Sequence, residues 1–214
     1  MMVDVRPGCW SILAIAAAVA LAACGSVRYP AQYALNIGPA APAPASSPGA
    51  LGPLVVRELG CPAYLCEGRL VYREAPHRVG FYHHHRWAVD PRVALTRVLT
   101  DRVRASSLFE SVTVAGSPAR AAYLLRGEIE RFEEVDEKTS VHAVCTVSVE
   151  IVGIATGTVA WRGTVSEAVP VQRREVEGVV AGLGVAARTV ADRLVASMAD
   201  ELPARRSPQP MPSR

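Results

Sequence analysis

The stretch VHAVCTVSVEIVGI, residues 141–154, decides the fold. An apolar side chain occurs at every second position of this stretch, at Val141, Ala143, Cys145, Val147, Val149 and Ile151. Because successive side chains of a strand point to opposite faces of a sheet, a period of two places all six on one face. The stretch therefore predicts a long strand with one buried face.

Two further long strands flank this one. Residues 122–133 lead into a charged turn at 133–138, and residues 157–169 return after a Thr-Gly turn. Neighbouring runs joined by short turns are typical of an antiparallel meander that packs one face on a core.

Shorter strands precede the meander. They are predicted at residues 33–37, 54–59, 69–73, 78–82 and 110–114. The third and fourth of these form a hairpin, whose loop we expect to be longer than the tightest types.

Two helices complete the pattern. Asp90-Pro91 supplies an N-cap and a first-turn proline for a helix that runs to about Ala105. A second helix is predicted from about Arg174 to Leu202. This helix contains Gly178, Gly182 and Gly184. These glycines either allow a close approach of the helix to the sheet or mark a late helix start near Gly184.

The predicted order is β-β-β-β-α-β-β-β-β-α. Antiparallel runs of strands with few helices indicate an α+β fold with two layers, a curved, mostly antiparallel sheet carrying two helices on one face.

The length, composition and charge of the chain limit the classes of protein to which it can belong. The chain has 214 residues, which suits one domain, and only 6% are aromatic, so Val, Leu and Ala must fill the core. The net charge of +3 is scattered among acids and forms no stripe that could follow phosphates. We therefore expect no nucleic-acid partner.

The N-terminus has the features of a targeting segment. Residues 11–22 carry no charge, and a dozen apolar residues suit a signal-peptide core but are short for a membrane span. Leu21-Ala22-Ala23-Cys24 ends this run and resembles the lipobox of bacterial lipoproteins. The resemblance implies cleavage after residue 23 and a lipidated Cys24, and the alternative is a plain signal peptide with an incidental cysteine.

The chain then divides into segments. We expect a signal peptide over residues 1–23, and a lipidated N-terminus with a short strand and a Pro/Ala linker over 24–53. The folded domain is expected over 54–202 and a disordered tail over 203–214. Gly25 follows the cysteine, which by the sorting rule of enteric lipoproteins implies release to the outer membrane.

Three cysteines remain in the mature chain, so they cannot all pair within it. Cys61 and Cys66 can form a disulfide if Pro62-Ala63 makes a turn, whereas an extended segment would hold their Cα atoms about 17 Å apart. The alternative is that both are buried small hydrophobes.

The candidates for chemistry are few. His83 and His85 would lie on the same side of a strand, with His77 across the hairpin, which could form a metal site or leave exposed imidazoles. Trp87 is expected to join the hairpin to the helix in the core. An acidic stretch at a strand end is typical of a solvated edge, and it comprises Glu128, Glu130, Glu133 and Glu134.

The sequence contains no nucleophile elbow, no phosphate-binding P-loop and no H-E-x-x-H motif. We therefore expect no enzyme, no cofactor and no metal.

Short motifs follow one another in order along the chain: Tyr33-Ala34-Leu35, Pro62-Ala63-Tyr64-Leu65, Arg69-Leu70-Val71-Tyr72-Arg73, Arg78-Val79-Gly80-Phe81-Tyr82, Arg86-Trp87-Ala88, Leu108-Phe109-Glu110-Ser111-Val112 and the run from Tyr123 to Phe132. This ordered series resembles one family, the ABC-type transport auxiliary lipoproteins. The sequence departs from the family at Cys66, where Asp is usual, and at the run of three histidines.

The resemblance implies a non-catalytic lipoprotein of the cell envelope whose domain faces the periplasm. Its partners would be the subunits of a lipid transport system: a mammalian-cell-entry (MCE) type subunit and an ABC permease with its ATPase. A homo-oligomer is compatible with this role. The alternative is an assembly or pilot lipoprotein that supports another outer-membrane machine.

Overall fold

The computed structural model describes residues 29–38, 50–114, 121–137, 139–172 and 175–202. The predicted signal peptide, Cys24, the tail after residue 202 and most of the Pro/Ala linker lie outside the described residues.

Eight strands and two helices within these residues follow the predicted order. The strands are β1 (Ala31–Tyr33), β2 (Leu54–Val56), β3 (Arg69–Ala75), β4 (Arg78–Trp87), β5 (Val112–Val114), β6 (Tyr123–Asp136), β7 (Val141–Gly153) and β8 (Val159–Pro170). The helices are α1 (Pro91–Ala105) and α2 (Val176–Glu201), and a short 3-10 turn covers Ala63–Leu65.

The sheet is built on β6. Along one edge, β6 pairs antiparallel with β7, which in turn pairs antiparallel with β8. Along its other edge it pairs in parallel with β2 near its start and with β3 near its end. The sheet therefore has two branches along this edge. In one branch β5 pairs with the outer edge of β2, and in the other β4 pairs with β3 and β1 pairs with β4.

Both helices pack on the same face of the sheet. The six alternating apolar residues of β7 are all buried, and Val147 lines a small cavity together with Leu99 of α1 and Ala187 of α2. The predicted α+β fold with two layers and two helices on one face is confirmed. The sheet is also mostly antiparallel as predicted, because the antiparallel strand pairs are longer than the parallel ones.

Helix α1 begins where the sequence predicts. The Asp90 carboxylate accepts a hydrogen bond from the backbone N–H of Arg92 at 2.8 Å, and Pro91 occupies the first turn. The buried stripe includes Thr96 and Thr100 in addition to the apolar residues. Thr96 accepts from the backbone N–H of Leu59 at 3.0 Å, so the polar side chain is satisfied where it is buried.

Three local expectations are wrong. The predicted strand over residues 33–37 is instead β1, at Ala31–Tyr33, and residues 34–38 follow it outside any strand. The hairpin loop has only two residues, Pro76 and His77, because β3 continues to Ala75, which pairs with Arg78. Strand β4 in turn runs on through the histidines to Trp87.

Trp87 is buried as predicted, and its ring contacts Phe132 of β6 with the centroids 5.4 Å apart. The 3-10 turn shortens the distance between the Cα atoms of Cys61 and Cys66 to 6.2 Å, and the two form a disulfide. Cys145 is free and buried, and burial raises the pKa of its thiol to about 12.

The glycines of α2 include one point of close approach to the sheet. A Cβ atom on Gly182 would lie 2.8 Å from the Cβ of Ala143 in β7, whereas one on Gly184 would lie 3.4 Å from the carbonyl oxygen of Asn36. The helix starts at Val176, well before either residue. Gly182 therefore allows the close packing of α2 on β7.

We predict that Gly182→Ala and Gly184→Ala change stability in opposite directions. Alanine favours a helix by about 1 kcal/mol over glycine, but overpacking against Ala143 costs about 1–3 kcal/mol. Urea denaturation should show Gly182→Ala less stable than the wild type and Gly184→Ala as stable or more so. Equal stabilisation by both changes would contradict the close approach.

Candidate functional site

The strand that follows the predicted lipidation site is part of the sheet. β1 pairs in parallel with the end of β4, where Ala31 lies opposite His85 and Tyr33 opposite Trp87. The backbone N–H of Ala88 donates to the Tyr33 carbonyl at 2.8 Å. Cys24 itself lies outside the described residues, and Ala31 follows it by seven residues.

The Tyr33 hydroxyl joins β1, β4 and α2. It donates to Oε1 of Glu177, in the first turn of α2, at 3.0 Å, and lies 2.9 Å from Nδ1 of His85. Because a phenol has a single O–H, its oxygen accepts the second hydrogen bond, and His85 therefore holds a proton on Nδ1.

The pKa values of Tyr33 and Glu177 shift in opposite directions. Burial raises the pKa of Tyr33, and the hydrogen bond to Glu177 raises it further. The pKa of Glu177 is lowered, first by a hydrogen bond from its own backbone N–H and then by the one from Tyr33. Both shifts favour a neutral phenol that donates to a carboxylate.

Further aromatic rings continue the contacts of Tyr33 and His85 into the sheet. The Tyr82 ring meets the His85 ring edge-on at 5.7 Å between centroids and the Tyr72 ring at 5.2 Å. The Tyr82 hydroxyl donates to Glu134 of β6, and burial together with this hydrogen bond raises the pKa of Tyr82. We call Tyr33, Tyr72, Tyr82 and His85 the tyrosine–histidine cluster.

A buried ion-pair network lies next to Glu134. The Glu133 side chain is 0% exposed, and its carboxylate accepts from Nε of Arg73 at 2.8 Å, from a terminal nitrogen of Arg73 at 3.0 Å and from Nε of Arg131 at 2.8 Å. The bidentate contact with Arg73 connects β3 to β6.

The acidic stretch is therefore only partly the expected solvated edge. Glu128 and Glu130 are exposed, but Glu133 and Glu134 are buried. The expectation is wrong for these two because side chains of the sheet cover their carboxylates: Arg73 and Arg131 contact Glu133, and Tyr82 contacts Glu134.

The candidate metal ligands are not brought together. His83 is exposed, whereas His85 is half-buried and bonded to Tyr33. Across the described residues, no group of three or more His, Cys, Asp or Glu side chains could hold a metal ion.

The sheet face opposite the helices carries a groove of about 490 Å³. In its floor, Glu150 is held between Arg126 and Arg162, with contacts of 2.6 and 2.9 Å. The hydrogen bonds from Arg162 and Arg126 lower the pKa of Glu150. The groove is lined mostly by polar side chains, and these carry both charges.

Among the helices formed by the described residues, none is both long enough and apolar enough to cross a membrane.

We predict that Arg73→Met destabilises the fold by about 3–5 kcal/mol, because it leaves the buried carboxylate of Glu133 without its bidentate partner. The matched control is Arg78→Met, since Arg78 pairs with Glu74 at the surface and such pairs contribute about 0–1 kcal/mol. Guanidinium denaturation of both variants measures the difference. Equal, small losses would show that the network is not important for stability.

We predict that Tyr33→Phe loosens β1. Amide hydrogen exchange at Tyr33 and Ala88 should quicken several-fold, whereas Tyr29→Phe, at a residue that is 87% exposed, should change nothing.

The effect of Tyr33→Phe should also depend on pH. Because the pKa of Glu177 lies below its usual 4.5 in the folded state, the carboxylate contributes stability above that pH and loses it as the pH falls. The difference in exchange between wild type and Tyr33→Phe should therefore shrink as the pH falls below 4.5 and Glu177 becomes protonated. A difference that does not change with pH would exclude Glu177 as the acceptor.

The fold resembles solved structures. A protein from Xanthomonas campestris superposes with a TM-score of 0.68 at 21% identity, covering 78% of this chain and 94% of that one. A crystal structure of an uncharacterized protein gives a TM-score of 0.61 at 14% identity, covering 79% of this chain and 99% of that one. The PelC dodecamer from Paraburkholderia phytofirmans gives 0.47 at 18% identity, covering 76% and 96%.

No curated protein matches the chain by sequence. A family model described as the ABC-type transport auxiliary lipoprotein component matches residues 33–204, which run from the end of β1 past the end of α2. The match covers most of the chain and nearly all of the described sheet and helices. The chain therefore belongs to the family of ABC-type transport auxiliary lipoprotein components.

Proposed function

We propose that this chain is a non-catalytic lipoprotein of the cell envelope that serves an MCE-linked lipid transport system and is anchored through Cys24. The observation that carries the proposal is the family match over residues 33–204, which begins nine residues after Cys24. Acyl chains on this cysteine would hold the domain on a membrane, since each buried methylene contributes about 0.8 kcal/mol.

The position of β1 supports a short attachment. The seven residues from Cys24 to Ala31 span at most about 25 Å when extended. The Pro/Ala linker follows β1 in the chain, so it adds nothing to the distance between the anchor and the sheet. The domain would therefore stay close to the membrane.

The disulfide between Cys61 and Cys66 supports an oxidising compartment. Together with Gly25 after the lipidated cysteine, it favours a domain that faces the periplasm from the outer membrane.

The side chains support a binding role rather than a catalytic one. The buried acids Glu133 and Glu134 are engaged by arginines and a tyrosine that hold strands together. The polar groove around Glu150 offers a surface for a protein subunit of the transporter, with Arg126 and Arg162 on either side of the carboxylate.

We predict that Cys24→Ser abolishes both processing and anchoring. Mass measurement of the wild-type mature protein should find residue 24 as the acylated N-terminus, and membrane fractionation should release only the variant. Cys145→Ser is the control, because that thiol is buried in the core. An unmodified wild-type N-terminus would contradict the anchor.

The partner is tested separately by purifying the tagged lipoprotein from membranes in mild detergent. Recovery of an MCE-type subunit or an ABC permease is the expected result, and light scattering of the same sample measures any homo-oligomer. Recovery of a secretin or a barrel-assembly protein in their place would favour the assembly or pilot role.

A further inference from the structure

A second groove, of about 480 Å³, lies between α1 and the segment that follows β1. One wall is residues 34–38, and the other is the start of α1 with the residue Val89 before it. Most of the lining is apolar, and it comprises Ala34, Leu35, Ile37, Gly38, Val89, Val93, Ala94, Arg97, Val98 and Asp101. We call this the anchor-side groove.

The rim of the anchor-side groove exposes large apolar side chains. Val89 is 48% exposed and lies just before the N-cap of α1, and Val93 in the first turn of α1 is 46% exposed. Elsewhere, α1 keeps its apolar residues towards the core. The two valines extend the apolar lining of the groove to the surface, where an apolar partner can cover it.

The length of the chain limits how far this groove can lie from the predicted anchor at Cys24. Ala34, in its wall, follows Cys24 by ten residues, which span at most about 35 Å even when fully extended. Because β1 is held in the sheet, this limit applies to the folded domain.

The charge at the groove suits a phosphate. Asp101 is paired with Arg104 at 3.1 Å, so its charge is compensated. Arg97, which is exposed, has no ion-pair partner among the described residues. It lies one turn from Val93, which places a guanidinium at the edge of an apolar surface, and arginine binds phosphates well.

We infer that the anchor-side groove is the surface on which the domain rests against the phospholipid bilayer that holds its anchor. The inference is drawn from the exposed valines, from the short chain to the anchor and from Arg97, which has no ion-pair partner within the described part of the chain. Val89 and Val93 enter the interface between headgroups and acyl chains, and Arg97 contacts lipid phosphates. The inference rests on the proposed function, since it requires lipidation at Cys24.

The experiment uses the full lipidated chain in vesicles of phosphatidylethanolamine and phosphatidylglycerol. A fluorophore that brightens in an apolar environment is attached to a cysteine placed by Val93→Cys. The matched control is Val159→Cys, since Val159 is also valine, is 45% exposed and does not line the groove. Labelling is done without reductant, so that the disulfide stays closed.

We expect the label at position 93 to brighten and to lose its quenching by aqueous iodide, and the label at position 159 to change in neither respect. Arg97→Gln should weaken the shielding of position 93 in vesicles rich in phosphatidylglycerol. The control Arg188→Gln, an exposed arginine on α2, should not.

The outcomes separate this inference from the proposed function. Flotation of the vesicles first shows whether the chain is anchored, and a chain that does not float contradicts both. Equal quenching at positions 93 and 159 in a chain that does float overturns the membrane contact alone. Shielding of position 93 only after a transporter subunit is added would overturn it in favour of a protein partner.

Discussion

The fold depends on the pairing of both edges of β6. A strand in the interior cannot leave its backbone N–H and C=O groups unpaired. β7 covers one edge over its whole length. Three successive pieces of chain cover the other: β2, then Gly60, which bonds to the backbone of Gly127 and Ile129, and then β3. The path of the first half of the chain follows from this requirement.

The chain makes an excursion away from the edge of β6 between Gly60 and β3. Both β2 and β3 run parallel to β6 along this edge, so the chain keeps its direction when it returns to the sheet at Arg69. The 3-10 turn and the disulfide between Cys61 and Cys66 close this excursion, and Arg73 then bonds to Glu133 across the junction of β3 and β6. This ion pair joins two strands that lie inside the sheet, with β4 beyond β3 and β7 beyond β6.

The same division of the sheet positions β1, which follows the predicted lipidation site in the sequence. β4 extends from the β3 side, and its long C-terminal half provides the edge on which β1 pairs. The tyrosine–histidine cluster then ties this edge to the first turn of α2 through Glu177. Attachment to a membrane through the N-terminus would thus act on the core of the domain and not on a loose tail.

The sequence by itself determined the order of elements, the buried face of β7, the start of α1 at Asp90-Pro91 and the family, because period, caps and local motifs are written in neighbouring residues. Only the tertiary structure decided that Glu133 and Glu134 are buried, that Cys61 reaches Cys66, that His85 bonds to Tyr33 and that Val89 and Val93 stay exposed. These features depend on which strands lie side by side. Parallel strands that are far apart in the sequence leave no local pattern from which such contacts could be predicted.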